Sequence, residues 1–190
     1  MYKNILGVIA IVVGFIGYAP YLRDVFKGST KPHFFSWFLW GILETTAFFA
    51  QIKKGGGAGS WVLGFSALVV FIIAFKALWS GERNITRLDW FGFVGASIGI
   101  IIWFYTKDPT GAVIVIALTD AMAFIPTYRK GFQHPNEETA FEYGMSALKY
   151  IFGFFALNTY NLATYLYPTT LILTNSVFVI MLLWRRKKLV

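Results

Sequence analysis

The chain alternates between seven long apolar runs and six short polar connections. The runs cover roughly residues 4–23, 33–52, 61–79, 89–105, 111–129, 138–157 and 162–184. Because a bilayer core about 30 Å thick is crossed by about 20 helical residues, each run is long enough for a transmembrane helix. The connections are too short to hold a further domain. The pattern therefore predicts an all-α integral membrane protein with seven transmembrane helices.

Composition supports this fold class and removes several kinds of chemistry. The chain is 57% hydrophobic and 14% charged, with a mean hydropathy of +0.60, whereas soluble domains carry about 25% charged residues. It contains no cysteine, which excludes disulfides, thiol catalysis and cysteine-based metal sites. The first run is not followed by a small-residue cleavage site, so we expect it to remain as a span. We expect no cofactor and no bound metal.

Lysine and arginine residues collect on one side of the predicted bundle. The segments after spans one, three, five and seven hold eleven of them, and the opposite side holds four. By the positive-inside rule, the amino terminus is outside and the carboxyl terminus is cytoplasmic. The net charge of +8 could suggest nucleic acid, but the positive residues lie at span ends, so we expect the lipid bilayer and no nucleic acid as a partner. We interpret the chain as a bacterial inner (plasma) membrane protein.

An internal repeat relates two turns of the chain. Residues 17–37 and 123–143 align without a gap at an offset of 106 positions. The identical pairs are Pro20 with Pro126, Arg23 with Arg129, Phe26 with Phe132 and Phe35 with Phe141, and the aromatic pairs are Tyr18 with Phe124 and Trp37 with Tyr143. Each copy lies between two apolar runs, as expected of a duplicated membrane unit.

The repeat divides the chain into two related halves. Residues 1–80 form a first three-helix repeat, residues 81–110 a linker helix, and residues 111–190 a second three-helix repeat with a basic tail. Three spans reverse the orientation of the chain, so parallel repeats need a fourth span between them. Gly92 and Ala96, like Gly95 and Gly99, are small residues four apart in that span, a pattern typical of close helix packing. The sequence predicts a 3+1+3 arrangement.

This arrangement, with a proline turn in each half, resembles the PQ-loop and SWEET-like (MtN3) transporter superfamily, which includes sugar transporters, cystinosin-like amino-acid transporters and the KDEL receptor. The matching dipeptides are Pro20-Tyr21 and Pro126-Thr127, with tyrosine and threonine where the family has glutamine. The resemblance implies alternating access with Pro20 and Pro126 as hinges, since proline removes a backbone hydrogen bond from a helix.

Other residues extend the resemblance. Pro32 and Pro135 resemble the remaining two of the four hinge prolines of SWEET transporters, although both precede their helices. Asn175 in the seventh span resembles the family's substrate-contacting asparagine. Ser66 is the nearest polar candidate for its partner in the third span.

Four polar residues from four spans lie at mid-depth. They are Glu44, Asp120, Lys149 and Asn175. Because an ionised group in hydrocarbon is costly, we expect one central cavity in which Lys149 bridges one or both acids. One lysine cannot neutralise two carboxylates, so either one acid is protonated or the site attracts a cation. The alternative is structural, with these residues acting as an interhelical clamp.

Aromatic and charged residues near the cavity complete the candidate set. Tyr18 and Trp40 are expected to line the path, and Trp40 could stack on a sugar or an organic cation. Lipid-facing packing is the alternative for Trp40. Lys76 and Glu142 lie nearer the span ends, where we expect them to reach the interface rather than the cavity.

The two turns could also form a cytoplasmic gate. Its charged residues would be Arg23, Asp24, Lys27 and Lys31 of the first turn, facing Glu137 and Glu138 of the second. A solvated surface that meets lipid headgroups is the alternative interpretation.

Together these patterns predict a membrane transporter for a small polar solute such as a sugar, an amino acid or a vitamin. It would act as an alternating-access uniporter or a proton-coupled carrier. The alternative is a receptor or interaction protein without net transport, as in the KDEL receptor. We do not expect an enzyme, because the chain has no HExxH or GxSxG motif and no histidine inside a span. The sequence leaves a homo-oligomer open.

Overall fold

A computed structural model describes residues 1–28, 32–80, 86–133, 135–138 and 140–189, with the side chains of residues 88, 89, 126, 130, 137 and 189 left out. Across these residues the chain is helical. The α-helices are α1 (Tyr2–Lys27), α2 (Phe34–Lys53), α3 (Trp61–Ser80), α4 (Arg87–Thr106), α5 (Pro109–Ala123), α6 (Ile125–Gln133), α7 (Ala140–Phe155) and α8 (Leu162–Leu189). Short 3-10 turns cover Gly57–Ser60 and Pro135–Glu137.

Local capping residues set several of the helix ends. Gly28 ends α1 in the left-handed conformation, with φ of 77°, where its N–H reaches the carbonyls of Asp24 and Val25. Asp108 begins α5, and Pro109 follows it at the first helical position. Asn161 begins α8, because its Oδ1 accepts hydrogen bonds from the N–H groups of Ala163 and Thr164.

The Asp108 carboxylate accepts hydrogen bonds from the hydroxyl and the backbone N–H of Thr110, at 2.6 and 2.8 Å. It also forms an ion pair with Lys54 at 3.1 Å. These contacts lower the pKa of Asp108 to about 2. The carboxylate therefore stays charged, and caps α5, across the physiological pH range.

Four helical segments are long and apolar enough to cross a membrane: Tyr2–Lys27, Gly57–Ser80, Pro109–Gln133 and Leu162–Lys188. They indicate a membrane protein. The helix α2 has 20 residues, but Glu44 and Gln51 lower its hydropathy. The helix α7 has only 16 residues, a length of about 24 Å at 1.5 Å per residue.

Apolar side chains cover the outside of the bundle. On α1 the exposed residues include Ile5, Val8, Val12 and Phe15, and on α8 they include Leu173, Val177 and Ile180. These positions recur every three or four residues and so share one helix face. Such broad exposed apolar faces suit contact with lipid rather than water. Glu44, Asp120, Lys149 and Asn175, in contrast, are buried inside the bundle.

Six of the helices form a closed ring. In order around the ring, α1 contacts α3, α3 contacts α2, α2 contacts α5, α5 contacts α8, α8 contacts α7, and α7 contacts α1. The helix α4 lies outside the ring against α5 and α2. The candidate functional residues lie in the space that this ring encloses.

The fifth apolar run forms two helices rather than one. The helix α5 ends at Ala123, and α6 begins at Ile125, so Pro126 lies in the first turn of α6. A proline at the start of a helix is favourable, whereas inside a helix it removes a hydrogen bond. Pro20 differs from its repeat partner, because α1 continues through it from Tyr2 to Lys27.

Candidate functional site

A cavity of about 100 Å³ lies inside the ring of helices. All six ring helices contribute to it. The lining residues include Tyr18, Trp37, Trp40, Glu44, Asp120, Phe124, Glu142, Tyr143, Ser146, Lys149, Tyr150, Tyr167 and Asn175. A water molecule occupies about 30 Å³ of liquid, so the cavity holds a small solute or a few waters.

Three charged residues meet in this cavity at similar depth. Glu44 is ten residues into α2, Asp120 eleven into α5 and Lys149 nine into α7. At 1.5 Å per residue, each lies about 15 Å from the first residue of its helix. A bilayer core is about 30 Å thick, so this distance corresponds to its middle. Their exposed fractions are 6%, 4% and 2%.

Lys149 is held by hydroxyl groups and aromatic rings. Its Nζ donates hydrogen bonds to the Tyr18 hydroxyl and to Ser66 Oγ, both at 2.8 Å. The same Nζ lies 4.1 Å from the ring centroid of Tyr18 and 4.6 Å from that of Tyr150. Among the described residues Lys149 has no carboxylate within 4.0 Å, so the expected bridge from Lys149 to an acid is not formed. The lysine contacts α1 and α3 instead.

The two central carboxylates are incompletely paired. The Tyr150 hydroxyl donates to Glu44 Oε1 at 2.7 Å. Glu44 Oε2 and Asp120 Oδ2 are both buried without a hydrogen-bond partner among the described residues. Buried polar atoms are normally satisfied, so the cavity presents two acceptor oxygens that a bound group could use.

The cavity becomes more accessible toward one end of the bundle, here named the turn end, which holds Gly28, His33 and α6. Glu142, Tyr143 and Ser146 lie in the first two turns of α7 and are partly exposed. Tyr150 and Tyr167 lie deeper and are 2% and 1% exposed. Glu142 lies near the start of its helix, as the sequence indicated, and its side chain lines the mouth of the cavity.

The opposite end, here named the loop end, comprises Lys3 and the segments 54–60, 106–108 and 156–161. The Asn158 N–H donates to the Gly56 carbonyl at 3.0 Å. The Asn161 side-chain amide donates to the Lys54 carbonyl at 3.2 Å. Lys3 Nζ donates to the Leu157 carbonyl at 2.7 Å. These hydrogen bonds join segments from the first and second halves of the chain and close the cavity on this side.

A proline in α8 supplies another contact beneath the loop end. Pro168 has no N–H, which leaves the carbonyl of Thr164, four residues earlier, without its helical donor. Gln51 Nε2 of α2 donates to that carbonyl at 2.6 Å. Both residues are almost fully buried. The proline thus creates an acceptor inside α8 that joins α8 to α2.

This contact can be tested by replacing Gln51 with leucine. We expect Gln51→Leu to lower the free energy of unfolding by about 1–3 kcal/mol, because the Thr164 carbonyl then stays buried and unpaired. Adding Pro168→Ala restores an N–H four residues after Thr164 and should recover part of that loss. Reversible unfolding in mixed micelles measures both. Equal stability of Gln51→Leu and the combined variant would contradict this account.

The structure brings all six sequence-predicted binding residues to one cavity. Asn175 lines it while its side-chain amide donates to the Leu171 carbonyl of the same helix at 2.7 Å. Trp40 lies perpendicular to Trp37, with ring centroids 5.3 Å apart. Tyr18 contacts Lys149, as described above. Their role in binding stays a prediction.

Sequence reasoning missed several lining residues of α7. Ser146 lies four residues after Glu142, and Lys149 and Tyr150 lie three and four residues after Ser146. Such spacing places them on one helix face. Extending the face of Lys149 along α7 would have found the other three.

The proposed charged gate falls partly outside the described residues, because Lys31 and the Glu137 side chain belong to that part. Arg23 pairs with its neighbour Asp24 at 2.9 Å. Arg185 and Arg186 of α8 donate to the Phe132 and Pro135 carbonyls, each at 3.0 Å. The described contacts at the turn end therefore join α8 to the α6 region.

Comparison with known proteins finds no relative of this chain. No family model, curated protein or solved structure matches this chain. Among the described residues no group of three or more His, Cys, Asp or Glu side chains could hold a metal ion.

Proposed function

We propose that the protein is a membrane transporter, built from two parallel three-helix repeats joined by α4, that carries a small polar solute by alternating access. The observation that carries the proposal is the polar cavity. It lies at mid-depth between helices of both halves, is closed at the loop end and is more accessible at the turn end. In the orientation predicted from charge, the accessible side is cytoplasmic.

Helix contacts support the two-repeat architecture. In the first half α3 packs between α1 and α2, and in the second half α8 packs between α5 and α7. The contact between α1 and α7 has a counterpart in the contact between α5 and α2. A two-fold relation that exchanges the halves would produce this pattern of contacts.

The repeat offset gives further support at the level of residues. Glu44 and Tyr150 are hydrogen-bonded and are separated by 106 positions, the offset that aligns the two turns. Two equivalent residues can touch each other only near the axis that relates the repeats. The aligned aromatic pairs Tyr18 with Phe124 and Trp37 with Tyr143 also line the same cavity. In the proposed architecture, the candidate site would lie on the axis around which the halves rock.

The test is solute flux into sealed proteoliposomes that contain the purified protein. A panel of sugars, amino acids, vitamins and amines is tested for counterflow, first with the wild-type chain. We expect flux of one class, and loss of that flux when Glu44→Gln and Asp120→Asn are combined. Asp108→Asn is the matched control, because it makes the same change on α5 outside the cavity.

Two outcomes would contradict the proposal. Flux that persists in the double variant would overturn the role of the carboxylates. Binding of a ligand without flux of any solute would favour the alternative receptor or interaction protein.

A further inference from the structure

We infer that the central cavity recognises a compact organic cation that carries N–H donors, such as a primary ammonium or a guanidinium group. This inference rests on the proposed function and names the class of solute. Its basis is the pairing of two unsatisfied buried carboxylate oxygens with aromatic walls in a cavity of about 100 Å³. A sugar or another neutral solute would bring no positive charge to these oxygens.

The unmet requirement in the cavity is for donors and positive charge. Glu44 Oε2 and Asp120 Oδ2 have no hydrogen-bond partner among the described residues, and both side chains are more than nine-tenths buried. Lys149 is different, because its ammonium already donates to Tyr18 and Ser66. An anionic ligand would compete with Tyr18 and Ser66 for the Lys149 ammonium. A cation with N–H groups would instead donate hydrogen bonds to the carboxylate oxygens that have no partner.

Aromatic rings supply the other half of the site. Trp37 and Trp40 stand at 86° with centroids 5.3 Å apart, and so form a right-angled corner at the cavity wall. Tyr167 lines the cavity at its deep side and is 1% exposed. Cations are attracted to the faces of such rings, most strongly to tryptophan, and the attraction is larger where water is excluded.

Lys149 shows that this environment accommodates an ammonium group. Its Nζ lies within 5 Å of two tyrosine ring centroids, at 4.1 and 4.6 Å, and is hydrogen-bonded to two hydroxyls. Lys149 is thus a cation, covalently attached to the chain, that hydroxyl groups and aromatic rings hold in place. We assign similar contacts with aromatic rings to the solute. The two carboxylates at mid-depth, Glu44 and Asp120, provide charge for a second cation that is not covalently attached.

An organic cation fits the donor set better than a metal ion. In the described part of the chain, no group of three or more His, Cys, Asp or Glu side chains has a geometry that could hold a metal ion. Divalent ions such as Ca²⁺ prefer about six or more oxygen ligands, whereas the fully buried carboxylate oxygens of this cavity without a partner among the described residues are Glu44 Oε2 and Asp120 Oδ2. Aromatic walls add nothing to the first coordination sphere of such an ion.

The experiment measures ligand-dependent melting of the purified full chain in nanodiscs. The probes are matched pairs of similar shape and different charge: ethylammonium with ethanol, and guanidinium with urea. Tetramethylammonium tests a cation without N–H donors, and sodium and potassium chloride control for ionic strength. We expect saturable stabilisation by ethylammonium and guanidinium, weaker stabilisation by tetramethylammonium, and none by ethanol or urea.

Variants locate the binding. Glu44→Gln and Asp120→Asn should each weaken binding of ethylammonium by about ten- to a hundredfold, because each removes one charge-assisted hydrogen bond. Asp108→Asn should leave it unchanged. If the carboxylate variants do not fold, Trp40→Phe provides a milder test, with weaker binding expected for every cation and no change in the order of the probes.

The readouts separate this inference from the transport proposal. Binding of amines without flux supports the cation site and overturns transport. Flux of sugars with no response to any amine supports transport and overturns the cation site. Equal stabilisation by sodium, potassium and ethylammonium would also overturn it, because the site would then recognise charge alone. Stabilisation that survives in the combined carboxylate variant would place the amine elsewhere and overturn the assignment.

Discussion

Replacing Lys149 with methionine is expected to destabilise the protein by about 1–3 kcal/mol, the range for leaving buried polar groups without their hydrogen-bond partner. The change removes the donor that serves Tyr18 and Ser66. Among the described residues that line the cavity, it also removes the only positive charge, while Glu44 and Asp120 stay buried there. Methionine fills a similar volume, so loss of charge and hydrogen bonding, rather than a cavity, should dominate the effect.

A double-mutant cycle decides whether the ammonium acts on the carboxylates. If it does, Glu44→Gln should lower the free energy of unfolding by less in the Lys149→Met background than in the wild-type chain. The difference, which is the coupling energy, should be about 1 kcal/mol or more. Combining Lys149→Met, Glu44→Gln and Asp120→Asn removes the charges at mid-depth and leaves Glu142 at the mouth of the cavity. We expect this variant to be close to wild type in stability. Reversible unfolding in mixed micelles provides the free energies. Strict additivity would show that Lys149 stabilises only through Tyr18 and Ser66.

Several features of the fold could be predicted because they depend on spacing along the chain. The apolar runs located the helices to within a few residues, and the depth of Glu44, Asp120 and Lys149 followed from their distance to the helix ends. Those three residues line one cavity because three helices in one ring carry them at the same height.

The contacts inside the cavity could not be predicted in the same way. Lys149 was expected to meet an acid, but its ammonium reaches α1 and α3, since the rotation of α7 decides which neighbours it faces. That rotation depends on packing between helices. Close approaches such as that of Gly17 to Met145, where an added Cβ would lie 2.9 Å from the Met145 Cβ, help to set it. Sequence periodicity alone does not supply this information.

The break between α5 and α6 has a similar explanation. The two proline turns align in sequence, and a single prediction, a hinge, covered both Pro20 and Pro126. The structure treats them differently, because α1 continues through Pro20 while the chain restarts a helix at Ile125. Flanking residues and tertiary contacts decide whether a proline is accommodated inside a helix or at its start. Whether either proline acts as a hinge stays a prediction.

Replacing Gly59 with alanine is expected to open the loop end. A Cβ on Gly59 would lie 2.6 Å from the Gly153 carbonyl oxygen and 2.7 Å from the Leu157 nitrogen. Both are backbone atoms of the second half and cannot move as a side chain can. Relief of this overlap requires the 54–60 and 156–161 segments to separate, which costs about 1–3 kcal/mol of packing. The equilibrium should therefore shift toward a cavity that is accessible from the loop end.

The absence of cysteine from the chain makes this shift measurable. Ala163→Cys places a thiol in the first turn of α8, at a position that is 1% exposed. In the Gly59→Ala background we expect a membrane-impermeant maleimide to label it about 5- to 150-fold faster, the range that corresponds to 1–3 kcal/mol. Gly144→Ala in α7 is the control, because its Cβ meets no atom within 4 Å, so labelling should stay at the wild-type rate. Identical rates in the two backgrounds would mean that the approach of Gly59 to Gly153 does not hold the loop end closed. Closure would then rest on the hydrogen bonds of Lys3, Asn158 and Asn161.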